Sequence, residues 1–255
     1  MTTRRYADIV SGDDLRHGSG AWERATNAHQ RKLTRAFDRW GIGLRKAIEA
    51  LVARGATDSE IMMMVDLALP ELEATMARIC RGGVTGAANL SLKSGGPLLP
   101  SVTSEIIRKQ LESDTLVKGS LIPGIRSKLG DLASRGGMRD SKALRTGVMG
   151  IRSMPASYAG GYWAMIFEVQ RHLGKDKEQT RQHEGLSPEP ILWVLEPGAD
   201  HCMDAGGTYG CTTLAGEYES WDHLPTVPAG QTTCRGNCRC HLKVFRNGEW
   251  TRGVY

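Results

Sequence analysis

The sequence predicts an α+β protein, with a mainly helical N-terminal body over residues 1–185 and a small C-terminal β-rich, cysteine-containing module over 190–255. Three observations lead to this. Apolar residues recur at helical spacing through the first two-thirds of the chain. Beyond Pro190 a short β-type run and a hairpin turn signal replace that spacing. Five of the six cysteines fall between Cys202 and Cys240.

The first helix is read from Leu33, Phe37, Trp40, Leu44, Ile48 and Leu51, whose steps of four and three place them on one face. Gly55 is a plausible stop. Thr57 and Glu60 then form the pattern of a capping box at the start of a second helix, which Pro70 is expected to end or kink. Leu72, Met76, Ile79 and Cys80 continue an apolar stripe, and the Met62–Met64 run reads as adaptable core. Residues 82–100 are rich in glycine and serine with two prolines, which predicts a loop or linker. Helices resume at Ser101, near Leu121 and from Asp140. The last helix carries Tyr158, Tyr162, Ile166, Val169 and Leu173 on one stripe, with Gly160 and Gly161 marking a bend or a close helix contact.

In the module, Ile191–Leu195 is a β-type run between Pro190 and Pro197, and Asn247-Gly248 between alternating arms predicts a hairpin. The segment between them holds few large apolar residues, so a core of its own is not expected. A small module with a weak core is commonly held by a metal or by disulfides.

Composition sets outer limits. The 255 residues are 40% hydrophobic and 24% charged, the balance of a globular chain. No apolar run is long enough to span a bilayer, so no membrane partner is expected. The N-terminus lacks the apolar stretch of a secretory signal, which leads to an expectation of residence in a reducing cytosol. The formal charge is +5, with a net of −2 from Ile191 onward. The charge is too weak to define a nucleic-acid groove and reads as a solvated, mixed-charge surface.

The cysteine spacing is C-x8-C from Cys202 to Cys211, then Cys234, Cys238 and Cys240. In a reducing compartment zinc is a candidate, with Cys202 and Cys211 supplying two ligands and Cys234 and Cys238 the others. His201, Cys240 and His241 are alternates; Cys240 and His241 alternate faces if a strand begins there. Free thiols and disulfides remain open readings of the same pattern. No catalytic constellation is evident. His223 with Asp222, Glu217 and Glu219 offers only what any acidic loop offers, so the chain is not expected to be an enzyme.

Trp193, Pro197-Gly198, Asp200-His201-Cys202, Asp204, Tyr209, Leu224-Pro225, Pro228, Gly230, Thr232 or Thr233, Cys234 and Asn237-Cys238-Arg239-Cys240-His241-Leu242 form a spaced pattern over about 50 residues. This stretch resembles the C-terminal signature of phage head-morphogenesis proteins, minor capsid proteins similar to the F protein of phage Mu. Where related sequences commonly carry a second cysteine three residues after the first, this chain has Ala205. The resemblance implies a structural minor head protein of a tailed bacteriophage. Such a protein is made in the host cytoplasm, is located at the portal vertex or in the capsid interior, and acts in head assembly or genome delivery. Its implied partners are the portal protein and other head proteins, with packaged DNA as a further candidate. It also implies that Asp200, Asn237 and Arg239 are structural, with Arg239 bonding to loop carbonyls. A zinc-stapled nucleic-acid-binding protein is the alternative reading.

Overall fold

A computed structural model describes residues 20–92, 98–197, 201–233 and 240–252. Eight α-helices and a four-stranded antiparallel sheet account for the regular structure among these residues. The fold is α+β, a helical body with a β module near the C-terminus. The chain divides into two compact units, whose boundaries fall within three of the helices.

One unit comprises residues 27–85 and 107–159. It contains most of α1 (Gly20–Ala53) and α2 (Asp58–Leu92), the end of α3 (Pro100–Leu116), and α4 (Ile122–Ser134), α5 (Ser141–Ile151) and α6 (Ser153–Ser157). The stripe expected on α1 is inward. Leu33, Phe37, Leu44 and Ile48 are buried, and Trp40 and Leu51 pack at the edge of the same core. The capping box forms as its residue types require: Thr57 N–H donates to Glu60 Oε2 at 2.7 Å, and Glu60 N–H donates back to Thr57 Oγ1 at 3.3 Å.

α2 ends neither at Pro70 nor at Gly82. Pro70 lies inside the helix. A proline removes one bond to the carbonyl four residues earlier and costs about 3 kcal/mol. Ile61, Val65 and Leu69 before it, and Leu72, Met76 and Cys80 after it, stay in phase and are buried, and their packing outweighs the loss. Residues 82–92, expected to begin a linker, continue the helix; residues 93–97 lie outside the described structure. Gly83 is a packing site rather than a loop signal, because a Cβ there would overlap the His29 imidazole. Of the methionine run expected in the core, Met62 packs at its edge and Met63 is 58% exposed, while Ile61 and Val65 face the core.

α3 and α4 are joined by a π-helical turn, Val117–Leu121, in which Ile122 N–H donates to Val117 O. Pro123, in the first turn of α4, has no N–H to offer the Gly119 carbonyl. A wider turn absorbs that missing bond without ending the rod. Asp140 caps α5 by accepting from Ala143 N–H at 2.6 Å. Four arginines tie helices together through acids distant in sequence: Arg81 to Asp114, Arg126 to Asp66, Arg139 to Asp58 and Arg152 to Asp38, at 2.6–2.9 Å.

The other unit comprises the described residues up to Thr26, those from Gly86 to Ile106, and those from Gly160 onward. α7 (Gly160–His183) starts at the paired glycines and shares this unit with the sheet. Trp163 meets the Phe167 ring edge-on, as does Trp22. Gln170 donates to Ser91 Oγ at 2.6 Å, and Ser91 donates to Ile166 O at 3.1 Å, so this buried polar pair is satisfied. The sheet order is β2-β1-β3-β4, from β1 (Ile191–Val194), β2 (Gly216–Tyr218), β3 (His241–Arg246) and β4 (Glu249–Arg252). All four residues of β1 are buried, so both faces of this central strand are covered. The hairpin at Asn247-Gly248 is as expected, with φ of 50° and 85°. Two successive positive φ values are what a twisted two-residue turn needs. Among the described residues no helix is long and apolar enough to cross a membrane.

Candidate functional site

Cys202 and Cys211 are brought together. Their Sγ atoms lie 3.3 Å apart, and the Cys211 backbone N–H donates to Cys202 Sγ at 3.1 Å. The intervening eight residues fold back through a tight turn in which Ala205 and Thr208 exchange backbone hydrogen bonds. Gly206 and Gly207 supply its positive φ values of 55° and 78°. Ala205 is therefore a turn residue. Asp204 accepts from the backbone N–H of Gly210, where a side chain would strike the 202–204 backbone. Cys211 then opens the short helix α8 (Cys211–Leu214) and is buried, whereas Cys202 is half-buried.

A second segment arrives beside the pair. Tyr209 and Thr232 form a parallel bridge, Thr233 N–H donates to Tyr209 O at 3.0 Å, and the Thr208 and Thr233 hydroxyls are 3.0 Å apart. Cys202, Asp204 and Tyr209 of the spaced pattern, with the Thr232-Thr233 position, thus belong to one small framework. Cys234, Asn237, Cys238, Arg239 and Asp200 lie outside the described residues.

The alternates are placed differently. Cys240 is buried, and its carbonyl accepts from Trp163 Nε1 at 3.2 Å. His241 is the first residue of β3, paired in register with Val194, with Nδ1 3.9 Å from Glu196 Oε2. His201 is half-buried. Among the described residues no three His, Cys, Asp or Glu side chains are grouped to hold a metal ion, so these alternates do not complete a cluster with the pair. Two thiolates on a tetrahedral zinc with bonds of about 2.3 Å stand roughly 3.8 Å apart. At 3.3 Å the pair is closer than that separation, and its two thiols could hold half of such a donor set.

The loop from 211 to 230 is not held by the cysteines alone. Leu214, Trp221, Leu224 and Val227 are buried, and the segment takes support from α7 rather than from a core of its own. α7 grips it: Arg171 donates to Leu224 O at 2.8 Å, Lys175 pairs with Asp222 at 2.5 Å, and Glu178 Oε1 accepts from Trp221 N–H at 3.1 Å. Gly174 leaves the space that the Trp221 indole fills. The signal in the sequence was a glycine inside a helix one turn from both Arg171 and Glu178. Burial raises the Glu178 carboxyl above its ordinary range, against the lowering effect of the Trp221 N–H. Asp222 is lowered by its bond to Lys175.

His223 is used locally. Its Nδ1 is 2.8 Å from Ser220 Oγ, and the same hydroxyl accepts from Asp222 N–H. The Asp222 carboxylate is bound to Lys175. This is a side-chain-stabilised turn rather than an aligned Ser-His-Asp relay. Comparison of the chain with protein-family models, with curated proteins and with solved structures finds no match.

Proposed function

We propose that this chain is a structural minor head protein of a tailed bacteriophage, located at the portal vertex or in the capsid interior and acting in head morphogenesis or genome delivery rather than in catalysis. The observation that supports the reading best is the placement of the spaced pattern. Its ends, Trp193 and Leu242, are cross-strand partners on β1 and β3. Between them Cys202 meets Cys211, Asp204 accepts from Gly210 N–H, and Tyr209 pairs with the Thr232-Thr233 segment. A pattern whose members serve to fold one turn and tie a second segment to it suits a structural module. Its partners would be the portal protein and other head proteins, met in the host cytoplasm during assembly and in the virion afterwards.

The same reading makes Cys202 and Cys211 half of a zinc staple completed by Cys234 and Cys238. Elemental analysis of protein purified under reducing conditions tests this part: one equivalent of zinc, lost in Cys202→Ser and Cys211→Ser, is expected. Less than about a tenth of an equivalent leaves the pair as a plain dithiol. The head-protein reading is tested separately, by mass spectrometry of purified particles and procapsids with stoichiometry against the portal protein. A few copies per particle are expected. Absence from both, with no co-purification with portal protein, would overturn it.

A further inference from the structure

We propose that the exposed ridge of α1 from Arg31 to Lys46 binds the phosphate backbone of duplex DNA without reading its sequence. The inference stands independently of the head-protein reading, on charge and placement alone. Residues 31–46 hold six basic side chains against one acid, a net of +5, which equals the formal charge of the entire chain. The rest of the sequence therefore balances to zero, and averaging over 190 residues hides this concentration.

The helix sorts these charges onto one side. At 100° per residue, Arg31, Lys32, Arg35, Arg39 and Lys46 fall within an arc of about 100°, opposite the buried stripe of Leu33, Phe37, Leu44 and Ile48. All five are exposed. They extend over about 22 Å of helix axis at 1.5 Å per residue.

None of the five forms an ion pair among the described residues, although acids are used efficiently elsewhere in the same unit. Arg81, Arg126, Arg139 and Arg152 each hold an aspartate. The one acid of this stretch, Asp38, accepts from Arg152 at 2.9 Å, and Glu49, the next acid along α1, accepts from Ser141 at 2.6 Å. The ridge is a line of unneutralised cations on a rigid rod.

A regular line of anions is the matching surface, and duplex DNA is that: one negative charge per about 1.7 Å of axis. A bilayer fits less well, because a surface-seeking helix needs a free apolar face. The apolar face of α1 is in the core, and the ridge itself exposes one large apolar residue, Ile42. Contacts made by cations to phosphates position a protein and carry no sequence information directly.

The test uses the full chain and two unrelated 30-base-pair duplexes, read by fluorescence anisotropy between 50 and 200 mM salt. Both duplexes are expected to bind equally, with a log–log salt slope of up to about −4.5 for five phosphate contacts. Arg31→Gln, Arg35→Gln and Arg39→Gln combined should weaken binding at least tenfold at about 50 mM salt and make the slope shallower by about 2.7. These side chains are exposed and form no ion pair among the described residues, so the melting temperature should not move. A control removes three charges elsewhere in the same unit, with Lys128→Gln, Arg135→Gln and Lys142→Gln. Its binding should stay within about twofold of wild type. The proposal is overturned if the wild type does not bind at low salt, if the control loses as much as the ridge variant, or if the chain binds phosphatidylserine vesicles in preference to either duplex.

Discussion

The Trp221 indole lies directly against the backbone of Gly174, so that any Cβ at position 174 would overlap the ring. Both partners are inflexible: one is helix backbone and the other a fully buried aromatic. Gly174→Ala should therefore destabilise the chain by at least about 2 kcal/mol through overpacking, although alanine is the better helix former. Gly150→Ala is the contrast, since nothing stands within 4 Å of its would-be Cβ. It should be neutral or stabilising by up to about 1 kcal/mol. Urea denaturation of the two variants beside wild type checks both signs.

His29 should make the helical unit acid-sensitive. Burial, helped by Lys32, lowers its pKa to about 4 from 6.5. Between those values the unfolded chain takes up a proton that the folded imidazole refuses, so stability falls as pH drops from about 6.5 to about 4. The full effect is roughly 3 kcal/mol. Above pH 6.5 this group contributes no slope. His29→Gln should flatten the decline, as measured by melting temperature against pH.

Glu178 should act in the opposite direction. Its folded-state carboxyl is raised by burial, so the folded chain holds that proton more tightly than the unfolded one. Stability from this group is fully present below the ordinary carboxylate range and is lost as pH rises through the raised value. Glu178→Gln keeps an acceptor for Trp221 N–H and removes the ionisation. The variant should gain stability relative to wild type at pH 7 and lose that advantage near pH 4. A gain that persists at pH 4 would show that ionisation is not the cause.

The described cysteines should separate by reactivity. Burial, with the charge of Asp114, pushes the Cys80 thiol up to about 12, so it should resist iodoacetamide in the folded chain. Cys202 is half-buried and should alkylate first. With oxidised glutathione and no metal, the two thiols of Cys202 and Cys211 should exchange to one intramolecular disulfide, releasing two glutathione thiols. Peptide mapping reads both outcomes. Labelling of Cys80 before Cys202 would contradict the burial pattern.

Much of the fold was legible from local pattern. The α1 stripe, the Thr57–Glu60 box and the Asn247-Gly248 turn each depend on residues a few positions apart, and each is present as read. Of the candidate metal ligands, the proximity of Cys202 to Cys211 was anticipated, and the turn that creates it was visible as Gly206-Gly207. The continuation of α2 through Pro70 and Gly82-Gly83 was not legible. Local propensity favours a break there, and only the partners decide otherwise: a core in phase on both sides of Pro70, and a histidine 54 positions away that needs the space at Gly83.

Sequence pattern alone thus decided where helices start, which stripe they bury and where the hairpin turns, because those depend on backbone preferences and periodicity within one element. The three-dimensional structure decided that α7 and the sheet share one compact unit, that Trp221 seats on Gly174, and that five cations of α1 have no acid among the described residues while four other arginines of the unit are paired. Those relationships join residues remote in sequence. Close packing and ion pairing depend on which surfaces meet, and no local spacing records that.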